Sequence, residues 1–339
     1  MQSLAVKYRP QTFDEVVAQS ATKVILQQQL ESGEIMNAYL FCGPAGCGKT
    51  TCARIFANEI NKGLGNPIEL DAASNNSVDD VREIIQQAKT ASMDSEYKVF
   101  IMDEVHALSN NAWQAMLKIL EEPPKKSIFI LCTTDPQKIP KTILSRVQRY
   151  DFQRISYLSI VDRLGVVYLS EGHDTLSDGS GNAIGYIAKL AQGGMRDALT
   201  MLDKCLAYSD TLTLENVLKA LGIANYECMT TLLGAYFDED IQTRLKVIND
   251  VYMSGYDLKQ FMKQFTDFVL DICKYACGCS FTYLNIPNTS DMKAFVEEIV
   301  KNGDIENSTL LGDLIKLNAE IKWDTNPKSR LEAWCITKE

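Results

Sequence analysis

A glycine-rich loop carries the clearest chemistry in this sequence. Residues 43–50, GPAGCGKT, follow the pattern G-x4-G-K-T, with a short apolar run before them and helical spacing after them. The backbone N–H groups of such a loop hold phosphate oxygens, and the amino end of the following helix adds positive potential. Lys49 can reach the β- and γ-phosphates of a nucleoside triphosphate, and Thr50 can ligate Mg²⁺. The pattern therefore predicts a nucleoside triphosphate site.

Two adjacent acids form a second candidate. In VFIMDE, Asp103 and Glu104 follow four apolar residues at the end of an expected strand. Ligands of open α/β sheets bind at the carboxyl ends of the strands. We expect Asp103 to hold Mg²⁺ and Glu104 to polarise an attacking water. Two such acids can also be plain surface residues, but beside a phosphate loop they indicate hydrolysis.

The next apolar run, SIFILCTTD, ends in Thr133 and Thr134. If this strand neighbours the one that bears Asp103, one of the two hydroxyls lies near the γ-phosphate. A hydroxyl there can orient water or respond to the phosphate. Ordinary capping of a strand end is the alternative interpretation.

Strands and helices must position these groups. Four apolar runs, AYLFCG, PIELDAAS, KVFIMDE and SIFILCTTD, alternate with segments of helical spacing. This alternation predicts the α/β class, with a mostly parallel sheet that is covered on both faces. From about residue 155 onward only helical spacing remains. We place one domain boundary near residue 156 and a softer one near residue 223.

Composition and charge narrow the class of protein. The amino terminus shows no secretory pattern and no run of 18 apolar residues occurs, so we expect a cytoplasmic protein without a membrane partner. Residues 1–150 hold 16 Lys and Arg against 17 Asp and Glu, so the net charge of −10 lies mainly in the remainder. A nucleic acid would therefore contact the amino-terminal part.

The ten cysteines do not indicate a disulfide framework, because a chain of 339 residues can bury a large core without one. Cys273, Cys277 and Cys279 form a C-x3-C-x-C cluster. This spacing lacks a paired C-x2-C and a nearby histidine, so we expect a helix end with reduced thiols rather than a metal site.

Several motifs together carry a resemblance to a known family. They are KYRPQTFDEVVAQ, GPAGCGKTT, ELDAASNNSVDDVR, FIMDEVHALS, LKILEEPP, CTTDPQKIP, ILSRVQRY and GGMRDAL, all within residues 1–205. The chain resembles the bacterial DNA polymerase III gamma/tau subunits, the AAA+ ATPases of the replicative clamp loader. The resemblance implies an AAA+ P-loop core at 1–156, a small helical lid at 157–223 and an all-helical collar at 224–339.

The resemblance also implies cofactors and partners. The cofactors are ATP and Mg²⁺, with Thr50 and Asp103 on the metal. The partners are other clamp loader subunits in a pentameric ring, a sliding clamp and primer–template DNA, in the cytoplasm of a bacterium or of a phage-infected host. The implied nucleotide-binding residues are Tyr8, Arg9, Pro10, Gly43, Pro44, Ala45, Gly46, Cys47, Gly48, Lys49, Thr50, Thr51 and Arg196.

Three further positions take roles from the resemblance. Thr134 resembles the sensor 1 residue, with Thr133 as the alternative, and Arg196 resembles sensor 2. Arg146 resembles an arginine that acts on the ATP of the neighbouring subunit, so it would couple hydrolysis to assembly. The implied catalytic set is Lys49, Asp103, Glu104, Thr134, Arg146 and Arg196.

For DNA, the family uses the helix after DAAS and the helix before EEPP. Arg82 and Lys118 are the candidates for phosphate contacts on these helices. A solvated helical face is the alternative interpretation of both residues.

The chain departs from the family pattern in two places. Only NKGLGNP stands where the family carries a four-cysteine zinc module, so we expect no zinc. Val147 replaces the cysteine of a Ser-Arg-Cys motif, which should leave Arg146 usable. We also expect a short form without the polymerase-binding extension of the family, and such a form would suit a phage or a divergent bacterium. The alternatives are a replication factor C-type small subunit and a non-hydrolysing structural subunit of the ring.

Overall fold

The structure is a computed structural model that describes residues 2–90, 92, 94–173, 178–222, 226–281, 284–287, 289–303, 305 and 309–337. The softer boundary expected near residue 223 lies outside the described residues. The chain divides into two compact units. The first comprises Met1–His173 and Ala191–Thr200, and the second comprises Asp174–Leu190 and Met201–Glu339. This division does not test the three-part organisation of core, lid and collar, which stays a prediction.

The first unit contains a five-stranded sheet. Its strands are β1 (Ala38–Cys42), β2 (Ile68–Asp71), β3 (Lys98–Asp103), β4 (Ser127–Thr133) and β5 (Gln148–Asp151). The strand order is β2-β3-β4-β1-β5, and every neighbouring pair is parallel. The predicted parallel sheet is confirmed.

Helices account for most of the remaining chain. They are α1 (Leu4–Lys7), α2 (Ser20–Ser32), α3 (Lys49–Ile60), α4 (Val78–Ala88), α5 (Asn110–Glu121), α6 (Lys141–Leu144), α7 (Tyr157–Ser170), α8 (Asp178–Leu190), α9 (Met195–Tyr208), α10 (Leu214–Leu221), α11 (Tyr226–Phe237), α12 (Ile241–Met253), α13 (Leu258–Ala276), α14 (Ser290–Asn302), α15 (Leu310–Ile321) and α16 (Pro327–Ile336). None of the helices in the described residues is long and apolar enough to span a bilayer.

The sheet can be covered on both faces because the middle positions of its central strands, β3, β4 and β1, are apolar and buried. Alternate residues along a strand point to opposite faces. Leu40, Phe100 and Phe129 pack on one side with α4 and α5, and Tyr39 and Ile130 pack on the other with α2 and α3. The stacked rings of Phe100 and Phe129 have centroids 5.2 Å apart. This three-layer arrangement fixes the strand ends, where the candidate chemistry lies.

The apolar runs of the sequence do not predict β5. Its sequence, QRYD, has one buried position, Tyr150. The strand lies at the edge of the sheet beside β1, so it can expose polar side chains that a central strand cannot. The strand nevertheless matters for the site, because it brings the chain after Arg146 back to the end of β1.

Two helices that flank the sheet have clear start signals. Ser77 caps α4 in a capping box, since its hydroxyl accepts from the Asp80 N–H and the Asp80 carboxylate accepts from the Ser77 N–H. The Ser109 hydroxyl caps α5 by accepting from the Ala112 N–H. Pro123 and Pro124 follow the end of α5, and proline cannot continue a helix.

The second unit is helical throughout its described residues. A single apolar core joins α11 to α16, with large buried side chains such as Phe261 and Phe265. Asp271 is buried in this unit, and its carboxylate accepts from the Lys274 ammonium at 2.7 Å and from the Asn285 N–H at 2.6 Å. The buried charge is therefore paired and hydrogen-bonded.

The C-x3-C-x-C cluster lies at the end of α13. Cys277 is the C-cap, Gly278 adopts a φ of +90°, and the Cys279 N–H donates to the Lys274 carbonyl at 3.0 Å. These bonds form a Schellman motif. All ten cysteines carry free thiols, and Cys277 and Cys279 are exposed. In the described part of the chain, no group of three or more His, Cys, Asp or Glu side chains is arranged to hold a metal ion.

We expect alkylation of the native protein to separate the thiols by burial. Iodoacetamide at mildly alkaline pH should modify Cys277 and Cys279 first. Burial raises the pKa of the Cys52 thiol to about 12 and raises the pKa of Cys132 well above its ordinary value, so both stay protonated and shielded. Peptide mass spectrometry measures the order of labelling. Equal rates for Cys52 and Cys277 in the folded protein would contradict the packing described above.

Candidate functional site

The glycine-rich loop joins the end of β1 to the start of α3. Its glycines adopt conformations that other residues avoid, with φ of +70° at Gly46 and +101° at Gly48. Lys49 begins α3 and is only 6% exposed. Its ammonium donates to the carbonyls of Gly43 and Pro44, both at 2.9 Å, so the positive charge is held inside the curve of the loop. A phosphate bound there would meet this charge and the amino end of α3.

The chain around Arg196 packs directly on the loop. The Met195 N–H donates to the Gly46 carbonyl at 3.0 Å. A Cβ atom added to Gly46 would lie 3.0 Å from the Cα of Gly194, which is closer than nine in ten real Cβ contacts. The backbone contact therefore favours glycine at position 46, and it brings Arg196 to the pocket beside the loop.

Thr50 and Asp103 meet at the carboxyl edge of the sheet. The Thr50 hydroxyl donates to Asp103 Oδ2 at 2.7 Å, although the two residues are 53 positions apart. A hydroxyl and a carboxylate oxygen are hard ligands of the kind that Mg²⁺ prefers. The donor set present therefore fits a magnesium ion bound together with nucleotide phosphates.

Glu104 is turned by an unusual backbone conformation. It adopts φ 49° and ψ 41°, the left-handed region, where residues other than glycine are uncommon. Its N–H donates to Asp103 Oδ1 at 3.0 Å. The turn directs the Glu104 carboxylate toward β4, where it accepts from the Thr134 hydroxyl at 2.8 Å and from the Thr134 N–H at 3.3 Å.

Thr133, the last residue of β4, and Thr134, which follows it, differ in their contacts. Thr134 bonds Glu104, whereas the buried Thr133 hydroxyl accepts from the Asp135 N–H at 3.1 Å. His106 links Thr133 to Glu104, since its Nδ1 lies 3.2 Å from Thr133 Oγ1 and 3.2 Å from Glu104 Oε2. Sequence reasoning did not select His106. Its position two residues after Glu104, in a short helical turn, is the signal that could have identified it.

These groups border one pocket in the first unit. The sequence-predicted residues that line it are Tyr8, Arg9, Pro10, Ala45, Gly46, Cys47, Gly48, Lys49, Thr50, Thr51, Asp103, Glu104 and Arg196. Gly43, Pro44 and Thr134 do not line it, although Thr134 reaches it through Glu104. An apolar part of the lining was not predicted and consists of Ala5, Val16, Val17, Ile155 and Leu199. Such a surface suits a flat aromatic base.

The amino-terminal segment is held over this pocket by α7 and the residue that follows it. Glu171 accepts from the Lys7 ammonium at 2.7 Å and from the Tyr8 hydroxyl at 2.5 Å. Arg163, which also lines the pocket, donates to the Tyr8 carbonyl at 3.2 Å. The bonds from Lys7 and Tyr8 lower the pKa of the Glu171 carboxyl from its ordinary value. Neither Arg163 nor Glu171 was predicted, because both contacts span more than 150 residues of sequence.

Arg146 lies outside this pocket. It follows α6, and its Nη1 donates to the Thr142 carbonyl at 2.7 Å and to the Ser145 hydroxyl at 3.0 Å. Its Nη2 donates to Glu121 at 2.7 Å. The structure therefore does not bring Arg146 to the nucleotide pocket of its own chain.

Arg82 and Lys118, 36 positions apart in sequence, border one groove between α4 and α5. Lys89 also borders it, together with polar groups such as Gln114. Arg82 is exposed and pairs with Asp79 at 2.9 Å. An exposed pair of this kind is weak, so an anion in the groove can compete for Arg82.

Comparison with known families finds similarity to subunits of DNA polymerase III. The model of the family described as "DNA polymerase III, delta subunit" matches residues 66–156, and that of "DNA polymerase III subunits gamma and tau domain III" matches residues 212–294. The chain is 36% identical to DNA polymerase III subunit tau of Bacillus subtilis, over 96% of this chain and 61% of that protein. It is 34% identical to DNA polymerase III subunit tau of Escherichia coli, over 75% of this chain and 42% of that protein. The chain thus spans about half the length of these relatives.

Solved structures with a similar fold include the Thermotoga maritima RuvB Holliday junction branch migration motor. The TM-score is 0.53 and the identity is 21%, over 67% of this chain and 78% of that one. At this identity the likeness concerns the fold alone. It agrees with the parallel sheet and the P-loop, and together with the two family matches it confirms the predicted AAA+ fold.

The Glu171 contacts give a testable prediction for nucleotide affinity. Glu171→Gln should weaken ATP binding by roughly 1.4- to fivefold, because partly exposed ion pairs contribute about 0.2–1 kcal/mol. Isothermal titration with a non-hydrolysable ATP analogue measures the change. The contribution of Glu171 is present at neutral pH, since its pKa is lowered, and it should fade as the pH falls through that lowered pKa. Glu215→Gln removes an exposed ion pair with Lys219 in the second unit and is the matched control. Unchanged affinity in Glu171→Gln would contradict the prediction.

Proposed function

Because the chain belongs to the DNA polymerase III gamma/tau family by sequence, we propose that it is the ATPase motor subunit of a clamp loader. It uses ATP binding and hydrolysis to open a sliding clamp and to place it on primer–template DNA during replication. The observation that supports this most is the chain of hydrogen bonds that joins Thr50 to Asp103, Asp103 to Glu104 and Glu104 to Thr134. A protein that only stored nucleotide would not need Glu104 and Thr134.

Each group has a proposed part in hydrolysis. The loop and Lys49 bind the phosphates, and Thr50 and Asp103 would hold Mg²⁺. Bound there, the ion would offset the charge of the phosphate oxygens. Glu104 polarises the attacking water and Thr134 orients the Glu104 carboxylate through its hydroxyl. Arg196 approaches the γ-phosphate from the segment that is bonded to the loop.

The base and ribose have a separate part of the pocket. Its amino-terminal wall consists of Tyr8, Arg9 and Pro10. The adenine ring packs against the apolar side chains of the lining, which include Val16 and Leu199. Arg163 and Glu171 hold this wall in place through Tyr8. Closure of the wall over ATP would exclude water from the reacting phosphate.

The assembled form supplies the remaining group. We propose that Arg146 acts on the ATP of a neighbouring subunit in a pentameric ring, with the sliding clamp as a further partner. A guanidinium supplied in this way stabilises charge on the transferring phosphoryl group. Its position away from its own nucleotide pocket supports this proposal over a role within one chain.

Arg82 and Lys118 are proposed to bind the phosphates of primer–template DNA. They border one groove in the amino-terminal part of the chain, where residues 1–150 hold 16 Lys and Arg against 17 Asp and Glu, so most of the net charge of −10 lies elsewhere. The protein would act in the cytoplasm, where it meets replicating DNA. The two alternatives are weaker. The chain carries the proposed hydrolytic residues Lys49, Asp103, Glu104 and Arg196, which disfavours a purely structural subunit. The similar polymerase III subunits are bacterial, which disfavours a replication factor C-type subunit.

ATP hydrolysis by the purified protein tests the core of this proposal. We expect turnover that rises with primer–template DNA in the presence of partner subunits and clamp. Glu104→Gln should lower turnover by roughly 10²-fold or more while ATP still binds, because general base catalysis contributes about that much. Glu96→Gln, which removes an exposed ion pair with Lys126, is the control. No turnover by the unmodified protein under any of these conditions would favour the structural subunit instead.

A second experiment tests the role of Arg146. Arg146→Ala should leave ATP binding by the isolated chain unchanged and lower DNA-stimulated turnover of the assembled ring by roughly 10³-fold. Steady-state hydrolysis and equilibrium binding, measured on the same preparation, separate the two effects. Normal DNA-stimulated turnover in this variant would refute the proposed action of Arg146 on the neighbouring subunit's ATP.

A further inference from the structure

The guanidinium of Arg146 is held at three points. Nη1 donates to the Thr142 carbonyl and to the Ser145 hydroxyl, and Nη2 donates to Glu121 Oε1 at 2.7 Å. A guanidinium has five N–H groups, so these acceptors use three of them. The other two are available to an anion beyond the chain, and about one-third of the side chain is exposed. The three bonds thus orient the guanidinium and leave two of its N–H donors for another acceptor.

The points that hold it belong to one rigid part of the first unit. Ile143 of α6 is fully buried and shares an apolar core with Ile119 and Leu120 of α5. This packing fixes α6, and with it Thr142 and Ser145, against the end of α5. Close-packed cores of this kind do not deform smoothly. Glu121 and Arg146 therefore keep their relative positions unless α5 and α6 move apart.

Glu121 is the last residue of α5. The same helix borders the groove between α4 and α5 that is lined by Arg82, Lys89 and Lys118, here called the basic groove. Lys118 lies three residues earlier, so the two side chains are neighbours on the helix surface. The prolines that follow hold the end of the helix at this point. A single helix thus carries a candidate phosphate contact and, one turn later, the carboxylate that binds Arg146.

We propose that Glu121 is a positioning residue that orients Arg146 toward the neighbouring subunit's ATP and ties that orientation to the helix of the basic groove. This inference rests on the proposed function. The side chains of the pair are about one-third and one-half exposed, so the bond contributes little to folding. Its effect is expected in catalysis, because a small misplacement of a reacting or stabilising group strongly lowers the rate.

The test is a double-mutant cycle on the assembled ring with primer–template DNA and clamp. Glu121→Gln should lower the DNA-stimulated kcat by roughly tenfold and leave KM for ATP unchanged. In an Arg146→Ala background, the same substitution should have no further effect, because the group that it positions is gone. Glu121→Asp should restore part of the rate. The melting temperature and the ATP affinity of the isolated chain should not change.

The control and the outcomes separate three ideas. Glu96→Gln removes an exposed ion pair elsewhere in the first unit and should retain full stimulated turnover. Absent turnover in the unmodified ring refutes the proposed function, and full turnover in Arg146→Ala refutes the assignment of Arg146. If Arg146→Ala is impaired while Glu121→Gln is unimpaired or faster, raises only KM, or adds fully to Arg146→Ala, the positioning role of Glu121 is overturned.

Discussion

Parallel pairing of the strands is the constraint on which the candidate site depends. β1 lies between β4 and β5, and β3 lies beside β4, so all of these strands end at one edge of the sheet. The register aligns Cys42 with Thr133 and Met102 with Leu131. The phosphate loop, the two acids and the threonines each follow one of these ends. A shift of one residue in a central strand would exchange the side chains that pack on the two faces, against α4 and α5 on one side and α2 and α3 on the other. The packing of both faces therefore fixes the register and with it the site.

The sequence predicted what local pattern controls. Three of the predicted strands, β1, β3 and β4, are mainly apolar runs, and the loop and acid pair lie at or directly after the ends of such runs, so they could be located without coordinates. The edge strand β5 escaped because it buries one residue of four. Arg163 and Glu171 escaped for another reason, since their bonds to Tyr8 span 155 and 163 residues. Arg146 could be selected by its motif, but its contact with Glu121 depends on how α5 and α6 pack.

The phosphate loop and the Arg196 segment are joined by backbone rather than by side chains. The Met195 N–H bonds the Gly46 carbonyl, and the absence of a side chain at Gly46 allows Gly194 to approach. A movement of the loop backbone would therefore shift the backbone of the Arg196 segment directly, without a change of side-chain rotamer between them. Side-chain contacts around Glu104 and Thr134 work differently, because they respond to the position of a single carboxylate.

The left-handed conformation of Glu104 has a consequence for how this protein can change over time. A residue with a Cβ atom costs about 1–2 kcal/mol in that region, and glycine would avoid the cost. Selection for stability alone would therefore favour glycine at position 104, and selection for hydrolysis would retain the carboxylate. A screen for heat-resistant variants should therefore accumulate inactive proteins that are altered at this position. The residue found at position 104 would then indicate whether a variant was selected for stability or for hydrolysis.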